Sequence, residues 1–466
     1  MGTIIKRELL DQIQSIQFLV LSGASLLLFT VNALVFVKNY PVENSAYSRR
    51  VTETFAKSST VNTELNQRPN PLRFVADGGD RYRPSGYSLN PGGFLRALPT
   101  GQINFKMPDI PQLDWSFLIR IVFSLYVLLL GFNAISGERE QGTLRLILSN
   151  SVRRSELLVA KFVAILAMAT APLLGGGLIS LIIVAINQPQ ILTMANLARI
   201  ALILPLTMCF LSVFVFMSLW VSSSVSRSSL VLLILLATWV LLTVIIPNTS
   251  GILAEKLSRA PSEYQMGRMV GPLIEKQVFD RIRAILSRAE KGQVSSAGEM
   301  RQEADKAYDE GQRDLVRHFS NYEAAMKDRA ELSRRLTRIS PAGLFQYALE
   351  DVMHAGKWRE DDFLRDARNY APIYDDYVLK KVGQLVGVSN FSFAVSTTIK
   401  GEDVILSSPS PKEYQGDKSD FPRFQENRIS PLQGVQRALL DLVGLLVWTI
   451  ILAGLAFSSF LRADVR

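Results

Sequence analysis

Two adjacent carboxylate pairs, Asp361-Asp362 and Asp375-Asp376, are the residues of this chain best suited by type to acid–base or metal chemistry. Such chemistry needs a second kind of partner: a base with a displaced pKa, or imidazole and thiolate donors at ligand spacing. The histidines are His318 and His354, and the single cysteine, Cys209, lies inside an apolar run. The acid pairs are therefore read as solvated helix faces, and His354-Ala355-Gly356 as a helix terminus. The sequence holds no Gly-x-x-x-x-Gly-Lys-[Ser/Thr] phosphate loop, no His-Glu-x-x-His and no Gly-x-Ser-x-Gly. The chain is not expected to be an enzyme, and no catalytic residue, metal site or cofactor is expected in it. What remains is the charged stretch from Glu138 to Lys161, pressed between two long apolar runs. So short a connection forms no domain of its own. It reads as a surface that a partner grips.

Six apolar runs must position that stretch: Phe18–Val37, Phe117–Ile135, Leu157–Ile186, Ala198–Val221, Leu230–Ile246 and Ala438–Phe460. About 20 helical residues cross the hydrocarbon, and backbone in lipid must satisfy its own hydrogen bonds. The expected fold is mainly α: a polytopic membrane protein with six transmembrane helices plus a large, mostly helical (α+β) extracytoplasmic domain. The first run follows Lys6 and Arg7 but is too long for a signal-peptide core, and no small-residue cleavage site precedes Lys38. It reads as an uncleaved span. Before it, Ile4–Ser15 carries Ile5, Leu9, Ile13 and Ile16 on one side. That segment is either an amphipathic elbow helix on the membrane surface or an extension of the first span. The net charge of +9 is spread through loops without a basic, aromatic-interleaved stripe, so nucleic acid is not an expected partner.

Short connections rich in Lys and Arg lie on the cytoplasmic side. Arg139, Arg145, Arg153 and Arg154 in the first short loop, Arg227 in the next and Arg462 in the tail place those connections and both termini in the cytoplasm. The chain then divides into 1–37 (elbow and first span), 38–116 (extracytoplasmic), 117–246 (spans two to five, with loop 136–156), 247–437 (extracytoplasmic) and 438–466 (last span and tail). Block 38–116, rich in Pro, Gly and Asn, predicts turns and short extended pieces. Residues 251–339 predict long helices, as an antiparallel pair. Ser340-Pro341 predicts a helix start running through Met353, with Ser as the cap and Pro in the first turn. Asp361–Leu385 reads as helix and Val388–Asp420 as strands and loops.

Gly137-Glu138-Arg139-Glu140-Gln141-Gly142-Thr143-Leu144, then Leu148-Ser149 and Arg153-Arg154-Ser155-Glu156-Leu157-Leu158-x-x-Lys161, resembles the signature loop of ABC-2-type transporter permeases. It departs at Asn150-Ser151-Val152, where relatives often carry a proline. Ile339-Ser340-Pro341-Ala342 is similar to a segment of such permeases. The tail Phe460–Arg466 is similar to that of a subgroup with a large extracytoplasmic insertion before the last span. The resemblance implies a permease subunit of an ATP-driven exporter in a bacterial inner membrane. It also implies a coupling helix that docks on a separate cytoplasmic P-loop ATPase holding ATP and Mg, and a second permease chain beside it, identical or homologous. The implied coupling residues are Glu138, Glu140, Gly142, Thr143, Leu144, Ile147, Leu148, Arg153 and Arg154. Leu144, Ile147 and Leu148 form an apolar stripe at helical spacing suited to a partner groove, and the carboxylates suit a basic rim. Alternatives are a complex that transmits force to an envelope protein without moving cargo, and a membrane receptor or scaffold.

Arg120 and Asp441 each sit about one turn inside a span, where an ionisable group marks function. They form a candidate gating pair at the outer mouth. Pro172, Gly175-Gly176-Gly177 and Pro205 interrupt two spans and suit either hinges or close helix packing, with packing favoured. Trp115, Trp239 and Trp448 read as lipid-facing or interfacial anchors.

Overall fold

A computed structural model describes residues 2–57, 60–80, 83–98, 113–149, 153–258, 260–291, 293, 296–383, 385, 394–399, 402–407, 413–414, 416–427 and 429–462. The departure at 150–152, residues 463–466 of the tail motif and residues 388–393 of the expected strand region lie outside the described residues. Helix α1 (Gly2–Ile13) stops at Gln14 and Ser15, where Ser15 Oγ accepts the amide of Phe18 (3.1 Å) and opens α2 (Ile16–Lys57). α1 is therefore a helix of its own, and it packs against the third span. Of its expected apolar side, Leu9 packs on the core while Ile13 stays exposed.

Among the described residues, six helices are long and apolar enough to cross a membrane: Phe18–Ala56, Trp115–Glu140, Arg154–Asn187, Met194–Ser224, Ser228–Leu257 and Pro431–Arg462. The first of these corrects an expectation. α2 has 42 residues, so at 1.5 Å per residue it is about 63 Å long, roughly twice the hydrocarbon thickness. The residues after Lys38 were expected to form turns and short extended pieces, but the helix continues through Lys57. Glu43, Ala46, Arg49, Arg50, Glu53 and Ala56 favour helix, and the cluster of breakers begins only near Pro69. The glycine run in the third span serves packing: a Cβ on Gly176 would come within 2.5 Å of the Phe29 ring. Trp115 is no interfacial anchor. It is buried edge-on to Phe29 and Phe74 (centroids 5.3 and 5.7 Å), and its indole N–H donates to Ser180 Oγ (3.3 Å). The second and fifth spans each contain one π-helical stretch, Leu118–Phe123 and Val240–Ile245.

The two polar blocks build one body. Strands β1 (Thr63–Asn66), β2 (Gly86–Asn90) and β3 (Phe94–Ala97) form an antiparallel sheet in that order, with Thr63 opposite Leu89 and Tyr87 opposite Ala97. The sheet lies against the helix Gly356–Val382 through Leu65, Leu89, Phe363, Tyr370 and Tyr374. Arg359 pairs with Asp80 (2.6 Å), and the Gly92 amide donates to Asp375 (2.9 Å), so the blocks are cross-tied. The expected antiparallel pair is present: Glu263–Ile274 and Asp280–Glu290 fold back on the 41-residue helix Ala297–Thr337 around Ile274, Val278, Ile282, Met300 and Tyr308. β4 (Ala394–Ile399) and β5 (Glu402–Ser407) pair as an antiparallel hairpin.

Asp362 is not on a solvated face. It is buried, held at 2.6 and 2.9 Å by both terminal nitrogens of Arg437, and accepts from His354 Nε2 at 3.0 Å. A carboxylate only accepts, so neutral His354 carries its proton on Nε2. Burial holds this imidazole down to about 4, with the Asp362 hydrogen bond opposing. As pH falls from the ordinary value near 6.5 toward 4, the unfolded chain takes up a proton that the native chain refuses. Stability therefore falls across that window, by up to about 3 kcal/mol, and is level above it. His354→Gln is expected to flatten the slope, measured by urea unfolding of the detergent-solubilised chain between pH 4 and 7.

Candidate functional site

The short connection after the second span folds as two small helices, Ser136–Glu140 and Thr143–Ser149, separated by Gly142 at φ +72°. That left-handed conformation costs a side-chain-bearing residue about 1–2 kcal/mol, which explains glycine here. Thr143 Oγ1 donates to the Glu138 carbonyl (3.2 Å) and closes the turn.

Each charged residue of the first small helix grips a different part of the bundle. Glu138 accepts from Lys161 Nζ at 2.7 Å, and the same ammonium binds Glu8 of α1 at 2.8 Å. Lys161 lies in the third span with its side chain 2% exposed. Arg139 donates to the Ser223 carbonyl (3.1 Å) at the end of the fourth span. Glu140 accepts the amide and hydroxyl of Ser228 (both 2.9 Å), the first residue of the fifth span. The clamp thus satisfies a terminal carbonyl on one helix and a terminal amide on the next. Ser222 Oγ accepts the Ile135 and Ser136 amides (3.1 and 3.0 Å), where the second span unwinds. Arg154 donates to the Leu461 carbonyl (2.9 Å) and places a cation at the C-terminus of the last span. Every span is therefore joined to this connection by side-chain hydrogen bonds, the first of them through α1.

The apolar stripe faces inward. Leu144 is 1% exposed, and Ile147 and Leu148 pack on the bundle core, so the expected partner-facing role does not fit their positions. A seven-residue amphipathic helix beside a bundle buries its stripe against its own chain first. The outward face is Gln141, Gly142, Arg145, Leu146 and Ser149, with Leu146 68% exposed and Arg153 exposed beside it. The sequence reading missed Glu8, Ser222, Ser228 and Leu146. The signal for Lys161 was available, since an ionisable residue about one turn into an apolar run needs a partner.

The family model described as ABC-2 family transporter protein matches residues 2–465. The chain belongs to the ABC-2 transporter family. The probable ABC transporter permease protein NosY of Pseudomonas aeruginosa is 38% identical over 93 residues, which is 19% of this chain and 33% of that relative. The aligned part thus spans about a third of NosY. This ABC-2 protein is a multi-pass membrane permease subunit.

The candidate gating pair is not formed in this ABC-2 permease. Arg120 donates to the Gln346 side chain, and Asp441 is fully buried against Arg338 (2.6 and 3.1 Å) and Arg334 (3.6 Å). Asp441 finds nearer cations because Arg334 and Arg338, just before Pro341, both reach it. Arg334 also pairs with Asp351 (2.8 Å). Among the described residues no group of three or more His, Cys, Asp or Glu side chains is placed to hold a metal ion.

Proposed function

We propose that the chain is the permease subunit of an ATP-driven exporter in the bacterial inner membrane. The Glu138–Lys161 connection faces the cytoplasm and docks on a P-loop ATPase that holds ATP and Mg. Two permease chains sit side by side, and the polar body lies outside. The observation that carries this reading is the set of ties from the connection to every span. A push on Leu146 and Arg145 reaches α1 through Lys161, the fourth and fifth spans through Arg139 and Glu140, and the last through Arg154. Charge-assisted bonds transmit such a push, most firmly at Lys161, where breaking one leaves a buried ammonium short of a partner.

Affinity purification of the tagged chain from its native membranes tests the reading. A P-loop ATPase should co-elute in stoichiometric amount; a chain that elutes alone overturns it. A second reading, force transmission to an envelope protein without cargo, draws support from α2, which runs unbroken from the first span into the polar body. Cargo movement in vesicles separates the two.

A further inference from the structure

Arg120 is an ionisable group inside a span, and its charge has no counter-charge there. It follows Trp115, the first residue of the second span, by five residues, so it lies about 8 Å from the end next to the polar body. A guanidinium is always charged and carries five N–H donors in a planar fork. Among the described residues one acceptor meets that fork, Gln346 Oε1, and Nε is buried without a partner. No described carboxylate forms an ion pair with it. Glu350 could neutralise it, but Gln346 stands between the two, accepting from Arg120 and donating through Nε2 to Glu350 (2.9 Å). The glutamine thus fixes the cation in place and leaves it uncompensated. Arg334 and Arg338, by contrast, each hold a carboxylate. A residue whose task was only to hold Gln346 would need no charge, since a neutral amide does that without desolvating a guanidinium. Arg120 is half-buried, so part of the fork stays within reach of a ligand.

A second unused donor lies at the same level. Trp239 of the fifth span donates its indole N–H to Ser124 of the second (2.8 Å), which ties the two spans side by side. Arg120 is four residues from Ser124 and Thr243 four residues from Trp239, both toward the polar body. They therefore share a level about one turn from that tie. Thr243 is 2% exposed, and its hydroxyl has no partner among the described residues. Helical threonines bond the carbonyl one turn back, as Thr238 does with Ile234 (2.8 Å). Thr243 lies in the π stretch Val240–Ile245 and does not. Beside it Val240, Leu241 and Val244 are exposed apolar side chains. A planar cationic fork matches phosphate oxygens two at a time, a hydroxyl can serve a third, and the apolar surface suits a chain attached to them.

We propose that Arg120 and Thr243 bind the phosphate group of an amphiphile whose apolar chain lies along Val240, Leu241 and Val244. Binding needs neither an ATPase nor export, so its failure leaves the permease reading standing. The test is native mass spectrometry of the full-length chain in detergent, titrated with lysophosphatidylglycerol and, as the phosphate-free control, with a monoacylglycerol of the same chain length. One equivalent of the lysophospholipid should bind, about tenfold or more tighter than the monoacylglycerol, the worth of one charge-assisted hydrogen bond. Arg120→Gln should abolish that preference. Arg120→Lys, which keeps the charge but not the fork, should cost about threefold. Arg317→Gln, in the polar body with its side chain 76% exposed, should change nothing, which separates the site from attraction to the net charge of +9. If Arg120→Gln does not fold, Thr243→Val, which removes the hydroxyl and keeps the shape, carries the test with a loss of about threefold. Millimolar inorganic phosphate should not displace the lysophospholipid; displacement would make free phosphate the ligand and overturn the amphiphile. Equal binding of the two lipids, or wild-type affinity in both Arg120→Gln and Thr243→Val, overturns the proposal.

Discussion

Lys161→Met is expected to destabilise the fold by about 3 kcal/mol or more and to free α1 from the connection it now binds. The ammonium is the shared partner of Glu8 and Glu138, at 2.8 and 2.7 Å. Removing it leaves two carboxylates facing each other in a site from which Lys161 itself is almost wholly excluded from water. The loss exceeds that of a surface ion pair, worth about 0–1 kcal/mol, because desolvation is not recovered once the partner is gone. The carboxylates are each about a fifth exposed, so water reaching them keeps the loss toward the lower end of the buried-pair range. The double variant Lys161→Met with Glu138→Gln removes one charge of each sign and should regain most of the lost stability. Thermal unfolding of the solubilised chain measures both, and the non-additivity of the cycle gives the coupling. An unchanged midpoint for the single variant would mean that the triad is solvated and holds nothing together.

The bundle was legible in the sequence because an apolar run of about 20 residues has one stable fate in lipid. Ser340-Pro341 was legible for a comparable reason: a capping hydroxyl followed by a residue lacking an amide proton marks a helix start, and the structure opens a helix there. Partnerships across long separations were not legible. His354 and Asp362 are eight residues apart, but their arrangement depends on Arg437, 75 residues beyond Asp362, and no local pattern encodes that. Asp441 likewise takes Arg338, 103 residues earlier, over Arg120. In the connection, spacing showed that Leu144, Ile147 and Leu148 share a face, and that much is correct. Spacing does not say whether the surface opposite is a partner or the protein's own bundle, and here it is the bundle.

Exchanging Leu146 for Asp should therefore separate docking from folding, and Leu144→Asp should not. Leu146 is 68% exposed and lies outside the apolar core, so its loss leaves stability within about 0.5 kcal/mol. If an ATPase groove receives this face, an exposed leucine flanked by Arg145 is its natural anchor. Burying a carboxylate in an apolar groove costs at least the roughly 2 kcal/mol typical of a hot spot, or about 30-fold in affinity. The expected result is loss of the co-purifying ATPase from a chain whose unfolding midpoint is unchanged. Leu144→Asp places a charge at a 1%-exposed site and should lower the midpoint together with the yield, since Leu→Ala alone costs about 2–5 kcal/mol in a core. Full retention of the ATPase by Leu146→Asp would move the docking surface away from the Thr143–Ser149 helix. Arg153 and the exposed end of α1 would then be the faces to test.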